Sequence, residues 1–240
     1  MNTNKDYLKL GINNIDCLKL GATNILSFIL THPFDTFKVD IQTNFKYITK
    51  YSMKNIYNGF VPGLIGYNLE KLVAFKTYNY CIKQDLNVPL SGALSGLFTS
   101  LITTPCERIK ILQQTNQRIN HISINNLFTG LSATAYRDTL GYTVYFSTYQ
   151  ILKQDFLETY NTPKLPLLFS FIYGGISGVL SCLITYHYDK YKTIVQTNNI
   201  SNYKKFLTNN NSGLIFGLSR AYLLHCGIFS TMEYFDILEN

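Results

Sequence analysis

Pro105-Cys106-Glu107-Arg108-Ile109-Lys110-Ile111-Leu112-Gln113-Gln114 sets a proline, an acid two residues on, a lysine three beyond that and a glutamine four further. The same order stands at Pro33, Asp35, Lys38 and Gln42. It returns, with His in place of Pro, at His187, Asp189, Lys192 and Gln196. A period of about 80 residues marks a chain built from copies of one unit. A second element follows each copy. It reads Gly59 to Phe75-Lys76-Thr77-Tyr78, Gly130 to Phe146-Ser147-Thr148-Tyr149, and Gly213 to Phe229-Ser230-Thr231-Met232. The interval from Gly to Phe is 16 residues in all three. Two linked elements recurring three times divide the chain into repeats over 1–86, 87–160 and 161–240.

Upstream of each acidic motif lies an apolar stretch with small residues, at 20–31, 90–104 and 165–186. Gly92 and Gly96, and likewise Gly174 and Gly178, fall on one helix face, a spacing that lets backbones approach closely. The first copy departs, with Leu20 and Asn24 there. Further helix-length stretches with few charges follow at 64–82, 132–152 and 214–235. Six helices of about 20 residues are long enough for six tilted spans. Polar residues recur along each, the pattern of a bundle around a wet cavity. The predicted fold is therefore an all-α membrane protein, its six transmembrane helices in three two-helix repeats around a central cavity.

Composition agrees and excludes other classes. The 240 residues carry a net charge of +7 but only 15% charged residues, with 19 Tyr and 16 Phe. Disorder would need low hydrophobicity and dense charge, and neither is present. The five cysteines, Cys17, Cys81, Cys106, Cys182 and Cys226, lie far apart and read as free thiols. No metal-ligand spacing, nucleophile–base pair or Gly-rich phosphate loop suggests a metal, a cofactor or an enzyme. Lys and Arg are spread singly, which argues against a nucleic-acid partner. The opening Met1–Tyr7 has neither an apolar core nor an Arg-rich amphipathic stretch. An organelle address is expected inside the chain.

Three such repeats resemble the mitochondrial carrier family. The resemblance implies a multi-pass transporter of the mitochondrial inner membrane, working as a monomer by alternating-access exchange of a small-molecule substrate. Pro33 and Pro105 would kink the odd-numbered helices, with His187 at the third kink position. The resemblance further implies a matrix gate of inter-repeat ion pairs: Asp35 with Lys110, Glu107 with Lys192, and Asp189 with Lys38. Gln42, Gln114 and Gln196 would brace them. Gly59, Gly130 and Gly213 match the family's cardiolipin sites at helix N-termini, although the usual basic residue before the Gly is replaced by Asn58, Thr129 and Ser212. At the opposite end only Lys153 and Glu233 keep the family's gate charges. That end is expected to be held weakly, by amide hydrogen bonds and aromatic packing, favouring a carrier open to the cytosol.

Family selectivity is attributed to positions midway down the even-numbered helices. Here these are Gly66, Glu70, Arg137, Asp138 and Arg220. Their charges nearly cancel, which suits a zwitterion such as a basic amino acid or a carnitine-like substrate. A second line leads elsewhere. A composition rich in Asn, Ile, Lys and Tyr, with pared-down loops, resembles the mitochondrial-carrier-like proteins of giant DNA viruses. That resemblance implies exchange of nucleotides or deoxynucleotides such as dATP and dTTP in a host mitochondrion. Lys71, Lys76 and His225 would then add cavity charge, and Tyr67, Tyr142 and Tyr145 would stack on a base. Nucleotide exchange is the leading expectation from the whole chain, whereas the local residues favour the amino-acid alternative. A soluble basic helical protein that binds nucleic acid is the outside alternative.

Overall fold

The computed structural model describes residues 16–43, 56–114, 124–197 and 213–239. They form six long helices and one short one, with no strand among the described residues. The helices are α1 (Asp16–Thr43), α2 (Phe60–Lys83), α3 (Val88–Gln114), α4 (Ile124–Leu127), α5 (Leu131–Tyr160), α6 (Leu167–Thr197) and α7 (Leu214–Glu239). The long helices pack as a ring: α1 against α7, α7 against α6, α6 against α5, α5 against α3, α3 against α2, and α2 against α1. Pro33 and Pro105 sit inside α1 and α3. Helix α6 runs through His187 at the equivalent place.

The polarity of the bundle is inverted relative to a water-soluble protein. Leu30, Val61, Ile151, Leu168 and Ile215 are each more than 60% exposed. Ser91, Ser95, Thr99, Thr103, Ser177 and Thr185 are buried. Burying a hydroxyl costs free energy unless it is hydrogen-bonded. Most of the buried hydroxyls bond locally, as where Ser95 donates to the Ser91 carbonyl at 2.8 Å and Thr104 to the Ser100 carbonyl at 2.6 Å, while Thr103 donates across to Asp138. Such back-bonding frees a helix face to be polar without a cross-helix partner. The same face lowers the mean hydropathy of the long helices. Among the described residues only 167–193 is long and apolar enough by composition to cross a membrane, at mean hydropathy 2.0; the apolar run of α7, 214–230, is shorter.

Small residues set the close approaches. A Cβ on Gly92 would stand 2.7 Å from the Tyr142 carbonyl oxygen of α5, and one on Gly174 2.7 Å from the His225 carbonyl oxygen of α7. Gly96 lies equally tight against the Asp138 backbone. In the first repeat Asn24 holds the contact differently, donating to the Asn68 side chain at 3.4 Å. The three glycines that open the second elements take φ +75° at Gly59, +85° at Gly130 and +82° at Gly213. A side chain is strained at such angles, so glycine lets the chain turn directly into α2, α5 and α7. Each rests on an odd helix of another repeat: Gly59 on Lys110, Gly130 on Gln196 and Gly213 on Lys38.

Candidate functional site

Asp35, Glu107 and Asp189 lie at equivalent depths on α1, α3 and α6, each just beyond the Pro or His position of its helix. Lys38, Lys110 and Lys192 stand three residues further along, so acid and base share a face of each helix. Across the bundle Lys110 pairs with Asp35, Lys192 with Glu107, and Lys38 with Asp189. The three contacts join α1 to α3, α3 to α6 and α6 to α1 in a closed cycle. All six side chains are largely buried, from 3% exposure at Lys192 to 26% at Glu107. Buried pairs of this kind gain little net energy because desolvation offsets their attraction.

Among the described residues, neither Gln114 nor Gln196 hydrogen-bonds to an ion pair of this ring. Gln114 donates to Thr36 Oγ1 at 3.1 Å instead of to the neighbouring ion pair. Both amide atoms of Gln196 are buried without a hydrogen-bond partner among the described residues. The Gln42 side chain lies outside the described residues.

Above the ring is a cavity of about 80 Å³ lined by Glu70, Lys71, Arg137, Asp138, Tyr142 and His225, among others. Arg137 comes from α5 and spans two levels. Its Nε lies 3.0 Å from Asp138 Oδ1, and its Nη2 donates to Glu107 Oε1 at 3.2 Å. Arg220, on α7, lies 3.2 Å from Asp35 Oδ1. Both arginines thus reach from the cavity into the ion-pair ring. Spacing along the chain placed them on the cavity-facing side of their helices. It gave no sign of this axial reach, which comes from the length of the side chain.

Asp138 is 4% exposed and accepts from Thr103 Oγ1 at 3.2 Å. Glu70 accepts from Tyr142 Oη at 2.5 Å and from Lys71 Nζ at 3.2 Å. Gly66 is a packing position, where a Cβ would stand 2.6 Å from the Cys106 Cβ of α3. It nonetheless borders the same small space as Glu70 and Arg220. Of the additional cavity candidates, Lys71 and His225 line the space. Lys76 is exposed on α2 and does not line this space.

The outer end differs from the expectation of a carrier open to the cytosol. Phe75, Tyr78, Phe146, Tyr149 and Phe229 are wholly buried there. They meet across the axis from α2, α5 and α7. Tyr149 stacks on Phe229 at 3.5 Å, Tyr78 on Phe146 at 4.2 Å, and Phe75 meets Phe146 edge-on at 5.4 Å. Tyr149 also shares a hydrogen bond with Ser170 of α6 at 3.1 Å. Stacked and edge-on rings contribute about 0.5–1.5 kcal/mol per pair beyond their buried area. Aromatic packing thus closes this end in place of the missing charges. The Glu233 side chain lies outside the described residues. The three phenylalanines were visible in the sequence as the end of the fixed 16-residue interval. The expected aromatic packing at this end did not single out these three, because the spacing alone does not say which rings meet.

The chain is 27% identical to mitochondrial substrate carrier family protein S of Dictyostelium discoideum, over 69% of its own length and 72% of that protein. It is 26% identical to mitochondrial ornithine transporter 1 of Saccharomyces cerevisiae, over 78% of its length and 80% of the transporter. Against the mitochondrial carnitine carrier of the same yeast the identity is 25%, over 73% and 69%. No protein-family profile matches the chain.

Proposed function

The chain belongs to the mitochondrial carrier family, and from that premise we propose that this transporter carries a small substrate with a carboxylate at one end and a cationic nitrogen at the other, a basic amino acid foremost. The supporting observation is the charge layout of the cavity. Arg137 and Arg220 stand on α5 and α7, while Glu70 faces them from α2 with tyrosine rings beside it. A substrate carboxylate is drawn to the arginines by bidentate hydrogen bonding, and its cation to Glu70. Ornithine and carnitine, named for two of the similar carriers, both have this polarity.

The mechanism is alternating access in the mitochondrial inner membrane, by exchange. Arg137 is shared between Asp138 and Glu107, and Arg220 contacts Asp35. A carboxylate that draws the two guanidinium groups upward removes a cation from Glu107 and from Asp35. The ring of ion pairs is then weakened at two of its three acids, and the matrix end opens. Binding shifts the equilibrium only by its difference in affinity for the two states, and this transfer of arginine contacts supplies the difference. The ring acts as the matrix gate. Gly59, Gly130 and Gly213, at the N-termini of α2, α5 and α7, offer backbone amides for cardiolipin phosphate.

Arg137→Ala and Arg220→Ala should each abolish uptake into liposomes while the protein still purifies folded. Near-normal uptake by either variant refutes the site. A second reading, nucleotide exchange, is favoured by the concentration of Tyr67, Tyr142, Tyr145 and Lys71 at the cavity, and by the compositional likeness to viral carriers. It predicts that dATP or dTTP, and not ornithine, competes for uptake.

A further inference from the structure

Lys71 is 3% exposed, although adjacent helix positions such as 70 and 71 do not ordinarily face one another. Its side chain turns back into the cavity. There Nζ lies 3.2 Å from Glu70 Oε1 and donates to Tyr142 Oη at 3.1 Å. The remaining surroundings of the ammonium are aromatic: the ring centroids of Tyr67, Tyr142 and Tyr145 lie at 5.4, 5.0 and 5.8 Å. Tyr142 passes the interaction on by donating to Glu70 at 2.5 Å. The hydroxyls of Tyr67 and Tyr145 are buried with no partner among the described residues, leaving hydrogen-bonding capacity unused beside the cation. One carboxylate with three electron-rich rings is a binding seat for a cation.

We infer that this seat is the place for the cationic end of the substrate and that Lys71 fills it when the cavity is empty, as a tethered competitor. This inference rests on the substrate class proposed above and adds a residue that sets its affinity. The seat is occupied in the closed arrangement, so Glu70 is never left buried and unpaired between transport events. An arriving ammonium or quaternary nitrogen displaces Lys71 toward the open cavity. The apparent affinity is thereby reduced by the fraction of time that the seat is free.

Lys71→Met and Lys71→Gln remove the competitor's charge, and Lys71→Arg retains it. In thermal melts of detergent-purified protein, the Met and Gln variants should melt lower than the parent without ligand, because Glu70 loses its partner. They should gain a larger upward shift than the parent with L-ornithine or L-carnitine, and their KM for that substrate should fall roughly tenfold without a rise in kcat. Lys71→Arg keeps the competing charge and should show no gain in the substrate-induced shift over the parent. Whichever of the two substrates produces the effect identifies the source of the cation. A substrate-induced shift that is unchanged or smaller in both neutral variants overturns the inference and leaves the substrate class standing. Loss of a dATP-induced shift in those variants makes Lys71 a phosphate ligand and overturns it as well. No shift with either cationic substrate in parent or variants overturns both readings.

Discussion

Asp35 shows how much of this site depends on single side chains. It faces two cations: Lys110 in the ring, and Arg220, 3.2 Å away from the cavity side. Removing one member of a buried pair costs about 3–5 kcal/mol when the other is left without compensation. Lys110→Met leaves Asp35 with Arg220, so the loss should fall below that range. Asp35→Asn leaves Lys110 and Arg220 facing each other and should cost the larger amount. Melting temperatures of the two purified variants decide this, and the reverse order would contradict the shared contact. The acid–lysine spacing that makes the ring was legible in the sequence because it is fixed by helix periodicity. The arginine contacts were not, since the rotamer that carries Arg137 to Glu107 depends on neighbours from other helices. Lys71 and the three tyrosines were placed at the cavity from sequence, but the pairing of Lys71 with Glu70 was not, because adjacent helix positions do not face one another until the side chain folds back.

The helices themselves were more readable. Three apolar stretches ending at an acidic motif, and three opened by glycine, became α1, α3, α6 and α2, α5, α7. Their starts were set by local chemistry, with positive φ at Gly59, Gly130 and Gly213 preceding α2, α5 and α7. What sequence could not give was which helices would touch most closely. That is decided where Gly92 and Gly96 let α3 lie against the backbone of α5 at Tyr142 and Asp138. Gly92→Val should force these helices apart. Overpacking of this kind typically costs about 1–3 kcal/mol, and because Asp138 and its partner Arg137 ride on α5, uptake should suffer as well as stability. A variant that melts and transports like the parent would show that the approach is not tight. The aromatic layer was half legible for a comparable reason: sequence showed that the usual charges were absent and pointed to aromatic packing, but not that five rings from three helices would meet there.

The whole bundle reverses the usual polarity, with leucine, isoleucine and valine outside and serine, threonine and ion pairs within. A ring of ion pairs lies across one end and a layer of aromatic rings across the other, and between them lies a cavity in which Arg137 pairs with Asp138 and Lys71 with Glu70. Under the proposed function these parts open one end at a time, and the cavity's charges select the substrate that opens it. The account stands most directly on exchange in liposomes: purified protein, preloaded with unlabelled ornithine or carnitine, and given labelled ornithine, carnitine or dATP outside. It predicts saturable exchange of a cationic substrate that is absent from the Arg137→Ala protein, and no exchange of dATP. Saturable dATP exchange with no uptake of ornithine or carnitine would contradict it.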